Sequence, residues 1–400
     1  MIIELPSIEN LDTSGKKVLL RVDFNVPIDN NVILDTGRID KTMPTIEHLL
    51  RNGAAIIIIS HLGRPKNSDA KDCCMRVVAE KLAELLPNNK VTFLPFSSKE
   101  GPAAKDCDVK AGEVLLLENI RYYPQETSTD PEVRKEFAKK LAFLGDIYIN
   151  DAFGACHREH ASVKEIAQLL PSYAGLLLKK EIHILSKVLT NPVRPFLAII
   201  GGAKVSSKLD VLKKLITKVD NVIVGGGMAY TFIKSKGLNT GNSLVENDLL
   251  SHAFQVVDKA NYNECGFFLP EDHVIASEFS DKAKTRISGV EIPEGWMGMD
   301  IGPKTIKKFE KIIKDARTII WNGPMGVFEM DSFSKGTMQI ANAVANNEGT
   351  SVVGGGDSMA AITKAGVEDK ITHISTGGGA TLEFLEGKKL PGVEVLLEEQ

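Results

Sequence analysis

Polar side chains able to bind and neutralise an anion stand where the apolar runs of this sequence stop. The run at 18–24 leads into Asp23 and Asn25, and the run at 54–60 into "SHLGRP", with His61 and Arg64. The run at 113–118 leads into "ENIRYYP" with Arg121, and that at 147–151 into "NDAFGACHREH" with His157, Arg158 and His160. Arg38 lies in a polar loop, "DTGRID". In open parallel sheets ligands bind beyond the carboxyl ends of the strands, so these groups describe a basic pocket for a small, multiply charged anion. A guanidinium fork matches carboxylate or phosphate oxygens, and each charge-assisted hydrogen bond contributes ~1.5–3 kcal/mol. Asp23 would repel the anion, so its expected work is to accept a hydrogen bond from a ligand hydroxyl. Arg21, within the apolar run, is read as structural. His157 and His160, at i, i+3 spacing beside Cys156, also fit a metal site, but no further cysteine or carboxylate spacing supports one.

The second half ends its apolar runs differently, on glycine: "IIGGAKVSSK", "VIVGGGMAY", "WNGPMGVFE", "VVGGGDS" and "STGGGA". Glycine lets backbone approach a ligand closely, and N–H groups at a helix start favour phosphate. One glycine triplet is explained by a tight turn; a succession of strands ending this way points to an amide-lined phosphate site. There is no G-x-x-x-x-G-K-[ST], and no strand–G-x-G-x-x-G–helix unit with a following acid, so neither the P-loop nor the dinucleotide fingerprint is present. Lys204 and Lys208, i and i+4, are expected on one face of the helix after "GGA", where they could neutralise phosphate or form a solvated face. Asp357, at a glycine-lined helix start, suits a Mg²⁺ held mainly by nucleotide phosphates. A basic pocket in one half and a phosphate cradle in the other suggest group transfer, and phosphoryl transfer needs positioning and neutralisation more than covalent catalysis.

The elements that must position these groups are legible as alternation. β-branched apolar runs such as VLLRVDFNV, AAIIIIS, EVLLLEN, PFLAIIGG, RTIIWNG and TSVVGGG alternate with segments of i, i+3, i+4 apolar spacing such as MRVVAEKLAELL and PEVRKEFAKKLAFL. That predicts an α/β fold of βαβ units with mostly parallel sheets. About a dozen strands exceed one comfortable open sheet, so two sheets are expected, with a single large barrel as the alternative. The break is expected between 170 and 195: "LLPSYAG" is turn-rich, "TNPVRPF" holds two prolines, and 176–189 places Leu178, Ile182, Leu185 and Leu189 on one helical face, a helix able to join two domains and pivot at its ends. The adjacent Cys73 and Cys74 are read as helix residues.

The chain has 400 residues, 43% hydrophobic and 25% charged, with a net charge of −4. This supports two or three folded domains and argues against a general nucleic-acid or membrane-surface binder. No apolar run approaches the ~18 residues of a membrane span, and the first residues carry no signal-peptide pattern. Cysteines at 73, 74, 107, 156 and 265 read as free thiols in a reducing compartment, so a cytoplasmic location is expected.

Taken together and in order, "RVDFNVP", "SHLGRP", "ENIRYY", "GGAKVSSK", "WNGPMGVFE", "GGGDS" and "STGGGA" closely resemble the phosphoglycerate kinase family, across residues 18 to 380. The resemblance implies two Rossmann-like domains with parallel sheets facing a central cleft and joined by an inter-domain helix. The N-terminal domain, 1–172 with a returning tail 388–400, would take 3-phosphoglycerate; the C-terminal domain, 173–387 including the linker helix 176–189, would take the nucleotide. Carried over by motif, Asp23 and Asn25, with Phe24 between them, resemble the residues around the glycerate hydroxyl and carboxylate. Arg38 resembles the arginine that stabilises the phosphoryl group in flight. His61, Leu62, Gly63, Arg64, Arg121 and Arg158 resemble the rest of the pocket. Lys204 and Lys208 match the lysines of the transferring and nucleotide phosphates. Gly225, Gly226, Gly298, Asn322, Pro324 and Glu329 fall in motifs lining the adenosine site, with Glu329 placed for ribose hydroxyls. Gly355, Gly356, Asp357 and Ser358 match the phosphate and Mg²⁺ segment, and Gly378 and Gly379 a helix start facing the transferred group. The implied reaction is reversible Mg²⁺-dependent transfer between 1,3-bisphosphoglycerate and ADP, giving 3-phosphoglycerate and ATP. The substrate carboxylate is the acceptor, Arg38, Lys204 and amides near Gly378 neutralise the moving group, a hinge closure aligns the ligands, and the enzyme is a monomer. One stretch departs from the family's usual G-T-A-H-R-x-H: "GACHREH" has Ala155 for the threonine, with Cys156 and Glu159. A nicotinamide dehydrogenase and a non-enzymatic sugar-phosphate-binding module are the rival readings.

Overall fold

The computed structural model describes residues 2–65, 73–96 and 100–398. The chain packs as two units, residues 2–183 with the tail from 389, and residues 184–388. In the first, strands β1 (Lys17–Arg21), β4 (Ala55–Ile59), β5 (Val91–Leu94), β6 (Val114–Leu117), β7 (Ile147–Asn150) and β8 (Ser172–Ala174) form one parallel sheet in the order β5-β6-β4-β1-β7-β8. A hairpin of β2 (Ile28–Asp29) and β3 (Val32–Ile33) stands apart from it. The crossovers include helices α1 (Gly37–Arg51), α2 (Arg76–Leu85) and α3 (Pro131–Ala142). Residues of β4, Ala-Ile-Ile-Ile-Ile, are buried throughout. A strand covered on both faces has no polar side to alternate with, which is why the run reads as continuous. Helix α3 starts where Asp130 accepts from the Glu132 amide at 2.9 Å and Pro131 takes the first turn.

The second unit repeats the theme. Strands β9 (Phe196–Ile200), β10 (Asn221–Val224), β11 (Gly266–Phe268), β15 (Thr318–Asn322), β16 (Thr350–Val353) and β17 (His373–Ile374) form a parallel sheet ordered β11-β10-β9-β15-β16-β17. Between β11 and β15 along the chain comes a small antiparallel sheet of β12 (His273–Ala276), β13 (Thr285–Ser288) and β14 (Met297–Ile301). The helices are α5 (Leu209–Leu215), α6 (Met228–Ser235), α7 (Leu250–Tyr262), α8 (Pro303–Asp315), α9 (Lys335–Ala345), α10 (Gly356–Ala365) and α11 (Gly379–Leu385).

Helix α4 (Leu176–Thr190) carries the change from one unit to the other, which falls at 183–184. Leu178, Ile182 and Leu185 are fully buried, and Val188 completes the stripe while Leu189 lies half-out; a 3.6-residue period drifts off a strict i, i+4 series. The tail forms α12 (Pro391–Leu397), whose Gly392 amide donates to Cys156 O at 2.9 Å, within the first unit. Residues 399 and 400 lie outside the described residues.

The two-sheet expectation holds, while several local expectations are corrected. Two six-stranded sheets account for the dozen strands, and the antiparallel β12–β14 sheet is additional. Its β13, Thr-Arg-Ile-Ser, is mostly exposed, so it lacks the apolar signature of a buried strand. "LLPSYAG" contains the short edge strand β8 as well as turns. Cys74 precedes α2, and its thiol donates to Glu118 Oε2 at 3.1 Å.

Candidate active site

Because β1, β4, β6 and β7 are parallel and adjacent, their C-terminal ends lie along one edge of the sheet. The loops beyond that edge bring most of the expected anion-binding residues together. Asp23 is buried; its Oδ1 accepts the Asn25 amide at 3.2 Å and faces His61 Nε2 at 3.7 Å, while its Oδ2 accepts from Arg38 at the start of α1. Asn25 Oδ1 accepts the Gly63 amide at 2.8 Å, and Arg121 Nη1 donates to Gly63 O at 2.7 Å. Asn119 Nδ2 donates to Leu62 O at 2.6 Å. The His61–Arg64 turn is thus pinned from both sides. Phe24 and Leu62 point the other way, into the hydrophobic core, so only their backbone is available to a ligand. Arg64 and Arg158 are exposed.

The charges here are unbalanced. Burial, and then the Arg21 charge, pulls Arg121 down to about 10. Burial followed by Arg21, Arg121 and Arg158 pushes His160 down to about 3, and burial with Arg158 takes His157 to about 4. Burial also holds His61 neutral, well below its usual range. Burial opposes ionisation of Asp23, yet the facing His61 ring and the Arg38 and Arg21 guanidiniums outweigh it, and the carboxyl is held below its usual range. An anion entering this cluster would relieve repulsion among guanidinium groups that few protein carboxylates answer. Cys156 faces away: its thiol is buried, donates to Ala152 O at 3.4 Å and is pushed by burial to about 12. A thiol so protonated is unreactive at neutral pH. Among the described residues no group of three or more His, Cys, Asp or Glu side chains that could hold a metal is found.

Sequence reasoning missed two members of this pocket's base. Glu126 is fully buried and accepts from Ser162 Oγ at 2.6 Å and Ser162 N at 2.9 Å. Ser162 Oγ in turn accepts Arg21 Nε at 2.9 Å. Neither lies at a strand end, so position offered no signal; an acid inside the turn "PQET" was the only hint.

In the second unit the glycines divide into two kinds. A Cβ on Gly201 would sit 2.1 Å from Pro324 O, one on Gly225 2.4 Å from Met325 Sδ, and one on Gly298 2.1 Å from Tyr230 Oη. These are glycines because scaffold occupies the space. Gly356 and Gly378, at the starts of α10 and α11, would meet nothing within 4 Å. Gly355, which caps α10, holds φ at 96°, a value that a side chain would strain. The open kind frames a cleft of about 440 Å³ lined by Lys204, Lys208, Asn322, Gly355, Gly356, Asp357, Ser358, Gly378 and Gly379. A second, apolar cleft of about 500 Å³ shares Gly202, Ala203 and Asp357 with it and is lined by Gly226, Tyr230, Leu244, Phe279, Gly298, Pro324 and Glu329 among others. One slot suits phosphates, the other a flat apolar ring with a polar edge at Glu329. Gly225 lines neither and acts through packing. The aromatic and aliphatic walls, Tyr230, Phe279 and Leu244, escaped the sequence reading because apolar residues carry no chemical mark.

Lys204 and Lys208 do not share a helical face as expected. α5 begins only at Leu209, and both lysines lie in the preceding turn, where Lys208 N donates to Val205 O at 2.8 Å and Glu246 accepts Ser206 N at 3.0 Å. The turn brings both to the phosphate-sized cleft. Lys208 Nζ donates to Asn322 Oδ1, and burial, against the pull of Asp357, lowers it to about 8. Asn322 is fixed through Nδ2 to Gly354 O at 2.7 Å, and Ser358 Oγ accepts Gly323 N at 2.6 Å.

Fold and pockets define a two-unit parallel α/β protein built to hold phosphorylated ligands. The family profile described as phosphoglycerate kinase matches residues 8–388. A phosphoglycerate kinase of Leptospira biflexa serovar Patoc is 52% identical over 399 residues, all of both chains, and one of Moorella thermoacetica is 50% identical over 98% of this chain and 99% of its own. Among solved structures, phosphoglycerate kinase from Coxiella burnetii matches with a TM-score of 0.87 at 39% identity, over 98% of this chain and 99% of that one. That from Pyrococcus horikoshii matches with 0.85 at 32% identity, over 98% of each. The chain belongs to the phosphoglycerate kinase family, which sets aside the dehydrogenase and non-catalytic readings.

Proposed function

We propose that this kinase moves a phosphoryl group reversibly between 1,3-bisphosphoglycerate and ADP, giving 3-phosphoglycerate and ATP, with the basic pocket of the first unit and the glycine-lined clefts of the second as its substrate sites. The observation that carries the assignment of sites is the contrast in what lines them: like-charged guanidinium groups crowded around Asp23 in one unit, open glycine amides and two lysines in the other. Asp23 and Asn25 would meet the glycerate end, and Arg121, Arg64, Arg158 and His61 the 3-phosphate. Glu329 would meet the ribose, and Gly355, Gly356, Ser358 and Lys208 the nucleotide phosphates.

Asp357 is the one carboxylate lining both nucleotide clefts' shared wall at the start of α10. A single carboxylate beside a phosphate cradle fits Mg²⁺, which takes few protein ligands and keeps phosphate and water. Bound there with the nucleotide, the ion would neutralise phosphate charge. The acceptor is a carboxylate, already ionised at neutral pH, so no protein base is needed. Arg38 would leave Asp23 to stabilise the migrating group, together with Lys204 and the amides at Gly378 and Gly379. Since the ligands would rest on different units, transfer requires them to be brought into line. The free cysteines and the absence, among the described residues, of any helix long and apolar enough to cross a membrane support a cytoplasmic enzyme, here taken to act as a monomer.

A coupled assay with 3-phosphoglycerate and Mg·ATP tests this reading. It expects ADP formation that depends on both 3-phosphoglycerate and Mg²⁺; ADP formation indifferent to 3-phosphoglycerate would overturn it.

A further inference from the structure

We propose that Glu126 is a positioning residue: through Ser162 it holds the buried Arg21 guanidinium against His61, and so fixes His61 as the tautomer with its proton on Nε2, aimed at Asp23. The inference rests on the substrate reading above for its kinetic consequence, but not for its geometry.

The chain of contacts is continuous. Glu126 Oε1 accepts from Ser162 Oγ at 2.6 Å, and Oε2 from Ser162 N at 2.9 Å. The hydroxyl has one proton and gives it to Glu126, so toward Arg21 it can only accept; it receives Arg21 Nε at 2.9 Å. Arg21 Nη1 donates to Val22 O, and Arg21 Nη2 lies 3.2 Å from His61 Nδ1. A guanidinium has no acceptor. Nδ1 must therefore be the bare nitrogen, and the ring proton sits on Nε2, which faces Asp23 Oδ1 at 3.7 Å. The tautomer is dictated from below the pocket, before any ligand arrives.

The three anchors come from separate parts of the chain: Arg21 from the end of β1, Glu126 from the turn Pro124–Thr127, and Ser162 from the helical turn Ala161–Glu165. Arg21 and Glu126 are both fully buried. A buried charge persists when it is paired and its hydrogen-bonding capacity is used. With all three of the arginine's nitrogens bonded and Glu126 one hydroxyl away, the strand can carry it in its core. That bonding also makes the arrangement stiff: Arg21 is held at all three nitrogens and cannot swing into the pocket to serve as another ligand. Fixing a donor's direction in advance removes an ordering cost from binding, so the gain appears in affinity for the glycerate ligand and not in the chemical step.

The test is ¹⁵N NMR of the histidine side chains in the free protein, with steady-state kinetics of Ser162→Ala and Glu126→Gln. In the unaltered protein His61 is expected to give the signature of a neutral ring protonated on Nε2. Ser162→Ala removes the hydroxyl link alone; it is expected to mix the two tautomers and to raise KM for 3-phosphoglycerate about tenfold, the scale of one charge-assisted hydrogen bond, with kcat within threefold and KM for ATP unchanged. Glu126→Gln should do the same where it folds. A His61 proton on Nδ1 in the unaltered protein overturns the proposal, as does a Ser162→Ala protein whose tautomer and KM are both unmoved. Because the tautomer is read without substrate, a failure of the substrate assignment leaves the NMR result standing, and the two failures are distinguishable.

Discussion

On the proposed assignment, the basic pocket of the first unit and the glycine-lined cleft of the second solve one problem, holding phosphate oxygens, with opposite materials. In the first unit the work falls to side chains, and each needs support: Asn119 and Asn25 pin the His61–Arg64 turn, and Glu126 and Ser162 pin Arg21. In the second unit it falls to backbone, and the support is the absence of side chains at Gly356 and Gly378. A charge-lined pocket binds strongly but is costly to hold empty: burial first, and then the neighbouring guanidinium charges, depress Arg121 and His160. An amide-lined one carries little of that cost and can be spoiled by a single methyl group.

Substitutions can break this contrast. The largest effect is expected at Arg38. Arg38→Ala should lower kcat by about 10³-fold or more, the scale of a guanidinium that neutralises a moving phosphoryl group, while the ADP dissociation constant measured by calorimetry stays within twofold. Next comes Gly298→Ala. The added Cβ, 2.1 Å from Tyr230 Oη, must drive the tyrosine aside, and Tyr230 is a wall of the apolar cleft. Overpacking on this scale costs roughly 1–3 kcal/mol. KM for ADP should rise by about tenfold or more, with KM for 3-phosphoglycerate unchanged.

Lys208 gives a pH test of the same contrast. Its free-protein value of about 8 lies below that of an ordinary lysine, so it loses its charge as pH rises through that point. Phosphate favours the charged form and lifts the value when nucleotide binds. ADP binding above pH 8 should therefore take up a proton, and affinity should fall by up to about tenfold per pH unit. Calorimetry in buffers of different ionisation enthalpy reads the uptake, and Lys208→Met should abolish it. The smallest effect separates the two kinds of glycine. Gly356→Ala meets open space and should leave stability within about 0.5 kcal/mol while weakening ADP severalfold. Gly201→Ala, packed against Pro324 O, should lower the melting temperature sharply.

What was legible in the sequence follows from where the signal lies. Runs such as the Ala-Ile-Ile-Ile-Ile of β4 are buried on both faces, and burial writes itself into composition. The strand-end arginines were legible because a parallel sheet gathers the loops after its strands. The antiparallel β12–β14 sheet was not, since β13 faces solvent and needs no apolar side. Lys204 and Lys208 were placed on a helix from their spacing, yet a turn stabilised by Glu246, forty residues away, decides their geometry. Glu126 and Ser162 were invisible for the same reason: their role is a contact between distant segments, and spacing along the chain does not encode it. Gly225 was counted with the ligand-lining glycines, but only its neighbours in space reveal that it packs against Met325.

The most direct measurement is an amide NMR titration of the isotopically labelled protein with each ligand separately. 3-Phosphoglycerate is predicted to shift Asn25, Gly63, Arg121 and Arg158 first, and ADP to shift Gly202, Gly356 and Gly378, with neither ligand displacing the other. Both ligands moving one common set, or 3-phosphoglycerate competing ADP away from the glycine cradle, would contradict the account of two chemically distinct sites.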